Sequence, residues 1–183
     1  MKGILLATVL WALPGLAHEL QDNRATLVLR ENNHVTLTVY VGLADALHLA
    51  LAPQRPLGEF LASWAAMKPE ELQKQLLQAQ KRFEAGTRLV LPQGGELALT
   101  NWVWPDARQV QSLLQRRIMQ SLVDPGGHFH EDPTEIHAEA VAVREIASLR
   151  VQFPEEFQRV LVVAYRPSQV WAEPRTMSPA IRF

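Results

Sequence analysis

Three histidines fall close together in the stretch HFHEDPTEIH: His128, His130 and His137, with Glu131, Asp132 and Glu135 among them. Alternate side chains of an extended chain point to one side, so His128-x-His130 offers two imidazoles to a single ion. That pattern suits copper, zinc or nickel. Gly126-Gly127 before it and Asp132-Pro133 within it equally describe a polar loop that needs no metal. A fourth candidate is His18, which follows Pro14-Gly15-Leu16-Ala17. Cleavage after Ala17 gives His18 a free α-amine, and that amine with the ring Nδ1 closes a six-membered chelate on one ion. A second imidazole completes a set of three nitrogens, an arrangement copper favours. An α-amine has a reference pKa of about 7.7 to 8.0, so losing its proton to a metal is easy near neutral pH. The expected metal site is therefore His18 with at least one of His128, His130 and His137, and copper is the first choice of ion. His34 and His48 read as surface or internally satisfied histidines.

Other chemistry finds little support. The chain has no cysteine, which removes thiol nucleophiles, thiolate metal sites and redox pairs. His137-Ala138-Glu139 matches half of a zinc deaminase signature, but the other half requires cysteines. The serines lie in no Gly-x-Ser-x-Gly context, and neither a dinucleotide-binding glycine loop nor a P-loop occurs. Glu70-Glu71 and Glu155-Glu156 read as a helix start and a solvated turn rather than an acid/base pair. No motif supports an enzyme, and a hydrolase stays open only in principle.

The beginning of the chain supplies an address. Met1-Lys2-Gly3 is a short positive end, Ile4 to Leu13 is apolar, and small residues precede the cut after Ala17. This is the three-part pattern of a secretory signal peptide, residues 1–17. The apolar run falls well short of the roughly 20 residues that span a bilayer, so a soluble, exported, periplasmic chain is expected. Residues 18–183 form a single β-rich domain in this reading, long enough to bury about 70% of its unfolded surface without disulfides. The net charge of −1 becomes about −2 after cleavage, which points to neither nucleic acid nor an anionic membrane. Any partner is expected to be a periplasmic or inner-membrane protein.

The candidate ligands must be positioned by the rest of the chain. Ala25, Leu27 and Leu29, then Val35, Leu37, Val39 and Val41, alternate on either side of Glu31-Asn32-Asn33 and predict a β-hairpin. Phe60, Leu61 and Trp64 recur at helical spacing. Pro69 then opens a helix with Leu72, Leu76, Ala79 and Phe83 on one stripe and Gly86 at its end, so helical structure is expected near 57–85. Gly94-Gly95 turns a second hairpin, and Pro105-Asp106 introduces a helix over 106–123. Strand pattern returns from Ile136 to Phe153, bent near Ser148; Arg159 to Pro167 reads as a buried strand, and a last short strand is expected over Gln169 to Glu173. Trp102 and Trp104 would share one face, as core rather than as a sugar platform. Together these predict an α+β fold: a mainly antiparallel, β-sandwich-like domain with two helical insertions.

The AHEL junction followed by RATLVLRENNHVTLTVYV, roughly residues 17–41, resembles the exported β-rich region that precedes the membrane domain in HupE/UreJ-type proteins. VLVVAYRPSQVWAEP near the end is similar to the same region. The family is associated with nickel or other metal handling, but this chain has no multi-span region after its soluble part, so the resemblance implies a stand-alone exported domain rather than a transporter. Two expectations follow: an exported protein that binds or delivers a transition metal through histidines, or a metal-free periplasmic protein–protein interaction module.

Overall fold

The computed structural model describes residues 23–92, 94–123 and 133–180. The first hairpin forms as the alternation predicts: β1 (Asn23–Leu29) and β2 (His34–Val41) pair antiparallel, with Leu27 opposite Leu37. Asn32 and Asn33 turn the chain at φ 57° and 55°, a left-handed conformation that asparagine tolerates better than other residues with a Cβ. Three helices follow: α1 (Leu43–Leu51), α2 (Leu57–Ala65) and α3 (Pro69–Gly86). Pro69 at the first turn of α3 keeps Lys68 extended at ψ 144°, because a residue before proline is driven out of the helical region. The helical region anticipated over 57–85 is thus two helices, and α1 precedes them.

The second hairpin is short. β3 (Arg88–Val90) pairs with β4 (Glu96–Leu97) around Gly94 and Gly95, both at positive φ. β5 (Thr100–Val103) leaves that hairpin, α4 (Ala107–Val123) follows, and β6 (Thr134–Val141), β7 (Arg150–Gln152) and β8 (Val160–Tyr165) complete the chain. The strands make a five-stranded sheet, ordered β5-β6-β2-β1-β8, and a three-stranded sheet, ordered β4-β3-β7. All pairings are antiparallel except β1 with β8. The architecture is α+β with two antiparallel-rich sheets and, among the described residues, four helices. No helix among them is long and apolar enough to cross a membrane.

One face of the five-stranded sheet carries Ala25, Leu27, Val35, Leu37, Val39, Val41, Ile136 and Ala140, all buried under the helices. The stripe Leu72, Leu76, Ala79, Phe83 of α3 is fully buried, as its spacing implies. Trp102, Trp104, Phe83 and Phe157 follow one another at ring separations of 5.0 to 6.0 Å, so Trp102 and Trp104 pack against the core as expected. Gly86 allows α3 to meet the chain at Pro154: a Cβ there would lie 2.7 Å from Pro154 Cβ.

Four expectations need correction. The strand pattern from Ile136 to Phe153 is two strands in different sheets, because residues 142–149 leave the ladder between β6 and β7. β8 is a strand but not a buried one; it lies at a sheet edge with its side chains partly in solvent. Residues 169–173 form no strand. Glu155 is exposed as a turn residue should be, but Glu156 is buried and paired with Arg82 of α3.

Candidate functional site

Of the four proposed ligands, His137 lies in the described structure, and His18, His128 and His130 lie outside the described residues. His137 is the fourth residue of β6 and sits on the open, polar face of the five-stranded sheet. The register places Tyr40 between Arg24 and Glu135, Thr38 beside His137, and Thr36 beside Glu139. Strand periodicity puts these side chains on one face because the alternate positions of β2 and β6 fill the core.

The polar groups on this face largely satisfy one another. His137 Nε2 lies 3.0 Å from Glu135 Oε1, and its Nδ1 is at hydrogen-bond distance, 3.1 Å, from the Thr38 hydroxyl. Tyr40 donates to the same Glu135 carboxylate at 3.3 Å, and the Arg24 guanidinium lies 4.3 Å from the centre of the Tyr40 ring. Partial burial, followed by the Glu135 charge, holds the Tyr40 phenol above its ordinary pKa. Further along the face, the Asn101 amide donates to Glu139 at 3.1 Å and His34 Nε2 lies 3.6 Å from the same carboxylate. The Asn101 hydrogen bond, with His34 adding to it, holds Glu139 below the usual carboxylate range.

Thr38, His137 and Glu135 have the order hydroxyl, imidazole, carboxylate, which in a nucleophilic site would be attacking group, base and orienting acid. The surroundings do not complete such a site. Thr38 is in a central strand paired on both sides, so the neighbouring backbone N–H groups are held by the ladder and none is left to stabilise an oxyanion. A cavity of about 530 Å³ does lie at the end of the sheet, lined by Leu43, Val103, Trp104, Gln109, Arg116 and Glu135 among others, but the lining of that cavity includes neither Thr38 nor His137.

Among the described residues no three histidine or carboxylate side chains gather as a metal-binding group. The described strands nevertheless fix where the stretches bearing the other three histidines join the sheet. β1 and β6 both run antiparallel to β2, and so run parallel to each other with β2 between them. Thr134 pairs with Val41, and Asn23 precedes the Arg24–Tyr40 pair. Asn23 and Thr134 therefore start their strands at one end of the sheet, two strand spacings or about 10 Å apart. Asn23 is pinned there: its Nδ2 donates to the Phe157 carbonyl at 2.6 Å, and its Oδ1 accepts from the Gly42 N–H at 3.0 Å. The first strand and the strand at Ile136 are not neighbours, since β2 lies between them.

His34 and His48 follow expectation. His34 is on the polar strand face, and His48 Nε2 lies 2.6 Å from the Arg55 carbonyl with its ring against Phe60. The chain from Arg24 through Tyr40 to Glu135 was not anticipated. Its members alternate correctly within each strand, but only the cross-strand register, invisible in the sequence, brings them together. Comparison of the chain with family models, with curated proteins and with solved structures finds no match.

Proposed function

We propose that this chain is the binding domain of an exported, periplasmic protein that holds or delivers a transition metal, copper before zinc or nickel, through His18, His128, His130 and His137. One observation carries the reading: Asn23 and Thr134 enter the sheet at the same end. His18 is five residues before Asn23, and His130 and His128 are four and six residues before Thr134. At up to about 3.5 Å per residue, these separations exceed the 10 Å between the two entry points. The chain thus has the reach a shared site needs. His137 joins such a site by giving up Glu135 or Thr38, so its contribution is the weakest of the four. On this reading the two sheets are the layers of a sandwich-like domain, with the metal at the end where β1 and β6 begin.

The test is copper(II) titration of a chain that begins at His18, compared with His18→Ala and with a chain carrying one extra residue before His18. Loss of tight binding in both altered chains is the expected result. Equal affinity in all three would show that the amine and ring of His18 do not form the site. The second reading, a metal-free module for a periplasmic or inner-membrane protein partner, is favoured by the engagement of both His137 nitrogens.

A further inference from the structure

The described sheets have four edge strands, and three of them are protected against pairing with another chain. β4 has 2 residues and β7 has 3, too short to template a partner. β5 breaks its register with β6 between Thr100 and Val103, and Asn101 within it is at φ 53°; such irregularities twist an edge away from pairing. β8 has no such device. Its sequence, Val-Leu-Val-Val-Ala-Tyr, contains no charge, proline or glycine. Among the described residues it pairs with β1 alone, which leaves a row of backbone donors and acceptors facing outward from them.

Both faces of this edge are apolar. Leu161, Val163 and Tyr165 lie in register with Arg24, Thr26 and Val28 on the open face. Val162 and Ala164 turn the other way, onto a groove of about 370 Å³ lined also by Leu29, Ile146, Leu149 and Val151. Leu161, Val162, Val163 and Tyr165 are between 38% and 51% exposed. An added strand would therefore meet apolar surface with each of its two sets of side chains, which calls for an uninterrupted apolar run rather than an alternating one.

The ends of β8 are basic. Arg159 precedes it and Arg166 follows it. The Arg166 guanidinium hydrogen-bonds the Ile146 carbonyl, and its Nη1 is 3.8 Å from the well-exposed Glu145, a pair too solvated to cancel the charge. A second copy of this chain fits these ends poorly. Antiparallel pairing with Leu161 opposite Ala164 would bring Arg159 of each copy opposite Arg166 of the other, and directly opposed like charges destabilise a strand pair. We propose that β8 is a docking edge that accepts, as an added strand, an extended apolar segment of a partner protein bracketed by carboxylates. This does not rest on the metal reading, since it uses none of the histidines.

The probe is a fluorescein-labelled peptide with five alternating valines and leucines between two Glu-Asp pairs, and a twin with Lys-Lys pairs in their place. Both are titrated into the full chain by fluorescence anisotropy, with hydrogen exchange to locate protection. The acidic peptide is expected to bind at least about tenfold more tightly than its twin, to protect amides of residues 160–165, and to lose a similar factor in Arg159→Glu. Val163→Glu should also abolish binding; Arg159→Glu alters no core residue and keeps the test valid if Val163→Glu unfolds. Equal binding of the two peptides, no binding, or protection elsewhere overturns the proposal. So does sedimentation showing a dimer of the full chain that Val163→Glu dissociates, which assigns the edge to a second copy.

Discussion

Glu156 gives the sharpest test of how the edge strand is held. Its side chain is 3% exposed and meets the Arg82 guanidinium, whose own side chain is 51% exposed. Arg82 also donates from Nη1 to the Ala50 carbonyl at 2.9 Å and lies 3.7 Å from Glu155. This pair ties α3 to the turn Glu155–Phe157 that delivers the chain into β8. Removing the cation and removing the anion are not equivalent. Arg82→Met leaves a carboxylate buried without its partner, an error that costs about 3 to 5 kcal/mol in fully buried pairs. Because Arg82 is half in water, a smaller loss than that, about 2 to 3 kcal/mol, is expected. Glu156→Gln leaves a half-exposed guanidinium that water and the Ala50 carbonyl still satisfy, for a loss of about 1 kcal/mol. Arg82→Met combined with Glu156→Met replaces the pair by apolar groups and should be more stable than Arg82→Met alone. Urea unfolding of the four proteins measures all three differences. Glu156→Gln matching or exceeding Arg82→Met, or a double variant no more stable than Arg82→Met alone, would refute the assignment of Glu156 as a buried charge that depends on Arg82.

Two further outcomes are expected. Gly86→Ala adds a Cβ 2.7 Å from Pro154 Cβ, so despite alanine's higher helix propensity it should lower stability by about 1 to 3 kcal/mol, read as a lower thermal midpoint; an unchanged or raised midpoint would mean that the α3–Pro154 contact yields freely. Glu139 is held below the ordinary carboxylate pKa chiefly by the Asn101 hydrogen bond, so its contribution to stability is present above the unfolded-state pKa and is lost as pH falls through the lower folded-state value. Asn101→Leu should move the Glu139 titration followed by NMR back up toward the ordinary value, and no movement would remove Asn101 as the main cause.

The hairpin β1–β2 and helices α3 and α4 were legible because each has a single buried face: the alternation of β2 and the stripe of α3 state their periods directly. α1 was not. Its buried Leu43, Ala46, Leu47 and Ala50 do recur at helical spacing, but Leu49 and Leu51 on the less buried side are apolar too, which blurs the stripe in the sequence. β8 failed for a related reason. A run of β-branched and aromatic residues reads the same in a buried central strand and at a bare edge, and only strand order separates the two. Glu156 was misplaced because its partner lies 74 positions earlier, and residue type alone assigns a glutamate to solvent. Of the candidate metal ligands, only the surroundings of His137 can be described. Its residue type and strand face were readable, whereas its partners Thr38 and Glu135 follow from the β2–β6 register.

The sheet also explains why binding belongs at its margins. The central strands β2, β1 and β6 use their backbone groups in ladders on both sides, and the polar side chains on the open face pair with one another, so a ligand arriving there would have to displace contacts already made. The two places proposed for binding are the end where β1 and β6 begin and the edge along β8. These two places share a corner. Val160 pairs with Asn23, so β8 starts beside the entry point of β1, and Arg159 stands at that corner. A cation held by His18 and the 128–137 histidines would add its charge to that of Arg159 and draw the same acidic end of an incoming strand. Coupling of this kind is reciprocal by linkage: a partner strand bound more tightly in the presence of the metal must tighten the metal by the same factor.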